Sequence, residues 1–379
     1  MRPITPLVLI VFIILLLAGC AAVATQSSET ESPDATPTAG AVSTSTSSTS
    51  QAPTTTTSAT AEETTTSTID PEPAMNSPFR AEPYTQNPVI EKPSEQGGAF
   101  LPRVVVSEGT FHMWFTQTTD WMAVPTAIFH ATSSDGLEWN IDEQPSLLAD
   151  GEGFDAFSVA EGTVVETGDG WVMYYNARAI PGPGPGPGIG RATAPSPNGP
   201  WVADPEPVLV SGEPGTWDSG FVTPNSAVVA DGGVLLYYSG GTNYIEFAPT
   251  ATGLAKSEDT SAFVKESVPV IEGASIWDGR FAWEAAVFDY DGGYAALYTG
   301  DPTSLTGEAI GYAWSPDGVT WESADDNPIL QPRAQAWAGL DVVAGAVVET
   351  PDGRRLLFYS GSNAGLDFSI GVAELLPAD

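Results

Sequence analysis

One cysteine, three lysines and two histidines are all that 379 residues hold of those types, and each scarcity closes off a class of function. A lone Cys20 cannot form an intrachain disulfide, so the folded part must be held by its own core. With only His112 and His130, a histidine-based metal site or nucleophilic triad is disfavoured. Twelve basic side chains against 48 acidic ones give a net charge of −36. That argues against nucleic acid and anionic lipid as partners, since both require clustered Lys and Arg. No Gly-x-Ser-x-Gly elbow, Walker loop or His-Glu-x-x-His pattern occurs. Nor does an Asp-x-Asp-x-Asp-Gly loop, so no cofactor is expected, and a structural calcium held by aspartates stays open in so acid-rich a chain without a motif to support it.

What is plentiful is Gly (39), Pro (33) and aromatic side chains (11 Trp, 11 Tyr, 15 Phe), a turn-rich composition that suits β structure and not helical bundles. Ahead of it, Arg2 and the apolar run Leu7–Leu17 lead into Leu17-Ala18-Gly19-Cys20. The pattern resembles a bacterial lipoprotein signal, residues 1–19, which implies lipidation at Cys20. The alternative is an uncleaved signal anchor running to Ala24. Either reading places the rest of the chain outside the cytoplasmic membrane. From Thr25 to Thr68, 26 of 44 residues are Ser or Thr and none is aromatic. Such a stretch buries too little apolar surface to offset its chain entropy. Residues 20–78 therefore read as a tether whose composition permits O-glycosylation, and residues 79–379 as the folded domain.

That domain repeats with a period near 60 residues. One marker is a proline followed by apolar residues, at Pro88, Pro145, Pro207, Pro269 and Pro328. A second is a hairpin about 25 residues later: Val104–Phe115, Thr163–Tyr175, Ala227–Tyr238, Ala286–Tyr298 and Ala346–Tyr359. Its turns, such as Asp291-Gly292-Gly293, suit tight β connections. A third is a further hairpin, as in Ser315-Pro316-Asp317-Gly318-Val319-Thr320-Trp321. Four strands per unit, repeated radially, predict an all-β, five-bladed β-propeller. The last unit is one strand short and Pro88 has no complete unit before it, so residues 79–90 are expected to supply the missing outer strand and close the ring.

The segment Ile310-Gly311-Tyr312-Ala313-Trp314-Ser315-Pro316-Asp317-Gly318-Val319-Thr320-Trp321, with strand pairs ending in Tyr-Tyr-Ser-Gly or Leu-Tyr-Thr-Gly, resembles the five-bladed propeller glycosidases of families 43, 32, 68 and 130. The resemblance covers about Phe79 to Leu376. It implies catalytic carboxylates near the starts of the innermost strands, around the axis. Aligning those strands by their apolar runs puts Pro102, Glu161, Asn225, Glu284 and Ala344 at equivalent starts.

Glycosidic hydrolysis needs one carboxylic acid to protonate the leaving oxygen and a second carboxylate to act on water or carbon. Glu284, beside Trp283 and apolar neighbours, is the expected general acid. Glu161 is the expected base, with Asp341 in reserve. If the two glutamates face each other across the axis, the gap suits water-mediated inversion. The first-blade aspartate implied by the resemblance is absent, and Asn225 cannot be an acid, which keeps open a non-catalytic glycan-binding propeller and, more distantly, a purely structural one. Asn225 and Trp283, with the rim residues Trp121, Arg178, Asn243, Tyr244 and Asp301, are the expected sugar-binding groups. The partner is thus a carbohydrate, the only membrane link is the lipid, and a monomer is expected. Asp155, Asp218 and Asp278, each after an aromatic residue at repeat-equivalent places, read as structural turn formers.

Overall fold

The computed structural model describes residues 74–378 apart from 121–124, 182–185, 187, 231–232, 244–249, 280, 302–306, 334–336 and 364–366. Cys20, the signal segment, Trp121 and Tyr244 lie outside the described residues. All that is described belongs to one unit, Asp70–Asp379.

The described chain is all-β, with one short 3-10 turn at Gly153–Asp155. β1 (Phe79–Pro83) comes first. The first sheet then holds β2 (Gly98–Ser107), β3 (Thr110–Thr118), β4 (Ala127–Ser133) and β5 (Asn140–Ile141). The second holds β6 (Ser158–Thr167), β7 (Gly170–Arg178) and β8 (Gly188–Ala194), with β9 (Val202–Ala203) and β10 (Leu209–Val210) both paired to β8. β11 (Phe221–Ala230), β12 (Gly233–Gly241), β13 (Thr250–Ser257) and β14 (Val264–Lys265) follow in antiparallel sequence. So do β15 (Phe281–Tyr290), β16 (Gly293–Asp301), β17 (Ala309–Ser315) and β18 (Glu322–Ser323). A single parallel pair, Thr250 with Phe281, links these two groups. The last sheet is β19 (Asp341–Glu349), β20 (Arg355–Ser362) and β21 (Ser369–Pro377), and its outer position is filled by β1, Phe79 opposite Pro377.

The innermost strands lie against one another in a cycle: β2 on β6, β6 on β11, β11 on β15, β15 on β19, and β19 back on β2. Five apolar cores separate the sheets. Trp114, Ile128 and Met173 fill the space between the first and second sheets, and Phe111, Met113, Phe358 and Val372 that between the last and the first. Each fully buried large side chain contributes about 1.5–3 kcal/mol.

The proline markers have a common job, since each delivers an apolar residue to the third strand of the preceding sheet. Leu147 bridges Ile128, Ile271 bridges Thr252 and Leu330 bridges Ile310, while Leu209 pairs with Ile189. The marker at Pro88 does the same for the last sheet, through Ile90 to Ile370. Asp155, Asp218 and Asp278 accept hydrogen bonds from the Tyr175, Tyr238 and Tyr298 hydroxyls at 2.8, 3.1 and 2.8 Å, which fits the turn-forming role read from their recurrence. Packing reaches back further than the sequence suggests. Met75 lies against the last core, and buried Ser77 donates its N–H to Asp326. Ser77 also caps the entry to β1, its hydroxyl donating to the Phe79 carbonyl and accepting from the Phe79 N–H.

Candidate active site

Every inner strand carries an irregularity at the same place, where two residues oppose one aromatic residue of the second strand. Register shifts fall between Phe100 and Arg103, Ala160 and Thr163, Pro224 and Ser226, Trp283 and Ala286, and Ala344 and Ala346. Such bulges re-aim side chains. At three of them the first bulge residue has a left-handed backbone: Leu101 (φ 52°), Glu161 (φ 58°) and Glu284 (φ 48°). For residues other than glycine this conformation costs about 1–3 kcal/mol and persists only where its surroundings fix it.

Those surroundings are hydroxyl latches. The Glu161 N–H donates to Thr116 Oγ1 of the preceding sheet at 2.7 Å, Glu284 N–H to Ser239 Oγ at 3.1 Å, Ala344 N–H to Thr299 Oγ1 at 2.9 Å and Leu101 N–H to Ser360 Oγ at 2.8 Å. The third sheet is the exception. Its equivalent residue is Pro224, which has no N–H, and Asn176 takes the latch position, donating instead to the Val222 carbonyl.

This register corrects two alignments made from the apolar runs. Leu101, not Pro102, and Pro224, not Asn225, stand level with Glu161 and Glu284. Asn225 belongs with Gly162, Ala285 and Gly345, a place where a Cβ at Gly162 would meet Ile128 at 2.8 Å and one at Gly345 the Pro102 carbonyl at 2.6 Å. Asn225 is accordingly buried, its Oδ1 accepting from Ser239 Oγ at 2.8 Å. Through Oδ1 it supports the latch that holds Glu284, while its Nδ2 is buried with no hydrogen-bond partner among the described residues.

Two glutamates thus leave matching bulges, and the structure couples them. Burial pushes Glu161 up to about 8, the Glu284 charge adds to this, and Arg103, a Thr223 hydrogen bond and Arg178 oppose it. Burial also pushes Glu284 up, but its first neighbour is a guanidinium. Arg103 Nη2 donates to Glu284 Oε2 at 2.5 Å and Nη1 to the Gly345 carbonyl at 2.7 Å, with Arg103 and Glu284 both buried. Glu161 Oε2 is buried with no hydrogen-bond partner among the described residues, an arrangement a neutral carboxyl tolerates and a charged one does not. Burial favours the neutral form of both acids, and the guanidinium contact favours charge on Glu284 rather than on Glu161. The sequence assigned the acid role to Glu284, and its burial does raise it, with Arg103 opposing; the hydrogen bond of the guanidinium to Glu284 and not to Glu161 favours the opposite division of roles.

Arg103 also lines a cavity of about 320 Å3 that takes residues from all five inner strands, including Val105, Val165, Val229, Val287 and Val347. Its lining starts at or just after the bulge on each strand and includes neither Glu161 nor Glu284.

A third glutamate joins the cluster. Glu308 immediately precedes β17, and its N–H and that of Gly307 approach Asp341 Oδ1 at 3.4 and 2.8 Å. Burial, Asp341, Asp301 and Glu284 together raise Glu308 well above the usual carboxylate range. Asp341 also accepts from Ser362 at 2.9 Å and so fixes the backbone of Glu308. Buried Asp301 ends β16. Arg178 ends β7, its Nε 3.3 Å from Ser158 Oγ and its guanidinium over Phe157. Trp283 is half-buried beside Phe281, and Asn243 lies two residues past β12.

Arg103 and Glu308 were missed from sequence. Each had a visible signal. Arg103 is a lone cation where the other inner strands carry Thr163, Ser226, Ala286 and Ala346, and Glu308 is an acid where three other sheets carry Thr126, Thr250 and Phe368 at the equivalent place. The two histidines bond each other, His112 Nδ1 to His130 Nε2 at 3.1 Å, and His130 Nδ1 lies 2.8 Å from Asp142, with His112 stacked on Trp114 and His130 tilted against it.

No family model and no curated relative matches the chain. Solved structures do, and they carry the β-propeller glycosidase fold. BT0996, in its RGII complex, is 15% identical, with 79% of this chain and 92% of that one covered and a TM-score of 0.64. A thermostable family-43 glycoside hydrolase is 20% identical over 76% of this chain and 94% of its own, TM-score 0.60. Zg3597, a family-117 glycoside hydrolase of Zobellia galactanivorans, is 20% identical over 79% and 91%, TM-score 0.57.

Proposed function

We propose that the chain is an extracytoplasmic glycoside hydrolase, held to its membrane by lipid at Cys20, whose five sheets are the blades of a propeller closed by β1. The observation that carries the reading is the pair Glu161 and Glu284 on matching bulges of the inner strands, electrostatically coupled and served by one guanidinium. The shared fold of known glycoside hydrolases supports it.

In this reading Glu161 is the general acid, protonating the glycosidic oxygen as the bond to the anomeric carbon breaks. Glu284, kept ionised by Arg103, takes a proton from water or attacks the carbon itself. As Glu161 loses its proton the pair would become doubly charged, and Arg103 and Arg178 limit that cost. Trp283 presents an aromatic face of the kind that packs on sugar rings.

One experiment tests chemistry and address together. With the full chain expressed in a bacterial host, oligosaccharides and chromogenic glycosides should be cleaved by the membrane fraction, and Cys20→Ser should move that activity to the soluble fraction. Failure to cleave any glycoside would contradict the chemistry. Activity that stays with the membrane in Cys20→Ser would contradict the lipid anchor.

A further inference from the structure

β11 supplies no acid to the site, yet it grips the strand that does. Ser226 Oγ donates to the Ala285 carbonyl at 2.8 Å and accepts from the Val287 N–H at 3.1 Å, one bond inside the β15 bulge and one just past it. Asn225, the residue before, accepts from Ser239 Oγ at 2.8 Å, and that same hydroxyl oxygen accepts from the Glu284 N–H at 3.1 Å. The amide oxygen thereby takes the Ser239 hydrogen and leaves a lone pair for Glu284. Glu284, Ala285 and Val287 are thus all held from the third sheet, around the left-handed residue whose backbone aims the carboxylate. No other inner strand carries both groups. β2 has Pro102 and Arg103 at these two places, β6 has Gly162 and Thr163, β15 has Ala285 and Ala286, and β19 has Gly345 and Ala346. The fold also bears a cost here, since Asn225 is fully buried and its Nδ2 has no hydrogen-bond partner among the described residues.

We propose that Asn225 and Ser226 are positioning residues of the cleavage, fixing the Glu284 backbone so that its carboxylate meets Arg103 and the reacting centre at once. The inference rests on the glycosidase reading above and gives the acid-free strand its part in it. A bulge residue at φ 48° swings its side chain when its backbone relaxes toward ordinary β values, and a misplacement of about 1 Å can cost 10²-fold in rate. The same relaxation would part Glu284 from the guanidinium. The charged groups that face Glu284 are Arg103 from β2, Glu161 from β6 and Glu308 ahead of β17. Without the Arg103 contact, burial and the two acids would act unopposed, and Glu284 would ionise at higher pH.

Full-length Ser226→Ala and Asn225→Ala, assayed on a glycoside that the wild type cleaves, should each lose about 10–100-fold in kcat with KM within about twofold. The acid limb of kcat/KM, set by the base Glu284, should move to higher pH, and the alkaline limb, set by Glu161, should stay. Ser226→Thr should restore both rate and limb, since Thr163 stands at the equivalent place on β6 and Ser226 borders the axial cavity, which has room for a methyl group. Thr252→Val is the control, because it removes a hydroxyl of the same third sheet that donates to the Ala282 carbonyl of β15 at 3.0 Å, ahead of the bulge. It should lower the melting temperature and leave kcat within about twofold. Unchanged kcat in Ser226→Ala and Asn225→Ala, an equal loss in Thr252→Val, or a loss with the acid limb unmoved would each overturn the proposal. Infrared difference spectra against Glu284→Gln read the ionisation of Glu284 without turnover, and it should rise in pH in Ser226→Ala but not in Thr252→Val. An unmoved ionisation would overturn the proposal even if no glycoside were cleaved. A wild type that cleaves nothing while the ionisation moves as expected would remove the glycosidase reading and leave Asn225 and Ser226 as the residues that seat Glu284 on Arg103.

Discussion

Glu161→Gln should lower kcat on any cleaved glycoside by about 10²–10⁴-fold, the usual contribution of a positioned general acid, with KM little changed. The substitution keeps the side-chain shape, the bulge and the Thr116 latch, so circular dichroism should match the wild type. Stability should differ in a defined direction. In the folded protein Glu161 holds its proton up to about pH 8, whereas in the unfolded chain it ionises near 4.5. Between these values unfolding releases a proton, so wild-type stability should fall as pH rises from 5 to 8. The glutamine variant should lack that part of the fall and melt higher than wild type at pH 8. Unchanged kcat in the variant would remove Glu161 from the chemistry.

Arg103→Met should destabilise the fold by about 3–5 kcal/mol in urea titrations, the range for removing one partner of a buried ion pair. The cause is the charge left on Glu284, with Arg103 3% exposed and Glu284 1%. The double variant Arg103→Met with Glu284→Gln should regain most of the loss, since neither an uncompensated charge nor an unmatched cation remains. Equal destabilisation in single and double variants would mean that Arg103 acts through packing and the Gly345 carbonyl, and not through Glu284.

The scaffold was legible in the sequence because its signals are periodic. Each proline marker places one apolar residue on a third strand, and the pairing of Ile90 with Ile370 lets Pro88 serve the last sheet as Pro145 serves the first. The three aspartates that bind tyrosine hydroxyls repeat with the same period. Glu161 and Glu284 were legible for the same reason. The contact of Arg103 with Glu284 was not, because the two are 181 residues apart in sequence and Arg103 sits inside an apolar run. Register was misjudged by one residue at Pro102 and Asn225 because apolar runs do not reveal which residue of a bulge faces the axis. Glu308 escaped because it lies outside the strand starts that were compared.

The most direct check is an infrared titration of the carboxyl pair from pH 6 to 9. Wild type minus Glu161→Gln should give the absorption of one neutral carboxylic acid at pH 6, lost as the pH passes through about 8, with Glu284 contributing only carboxylate absorption throughout. A carboxylate signal for Glu161 already at pH 6, with the neutral acid traced instead to Glu284, would contradict the assignment of the proton and with it the roles of the two glutamates.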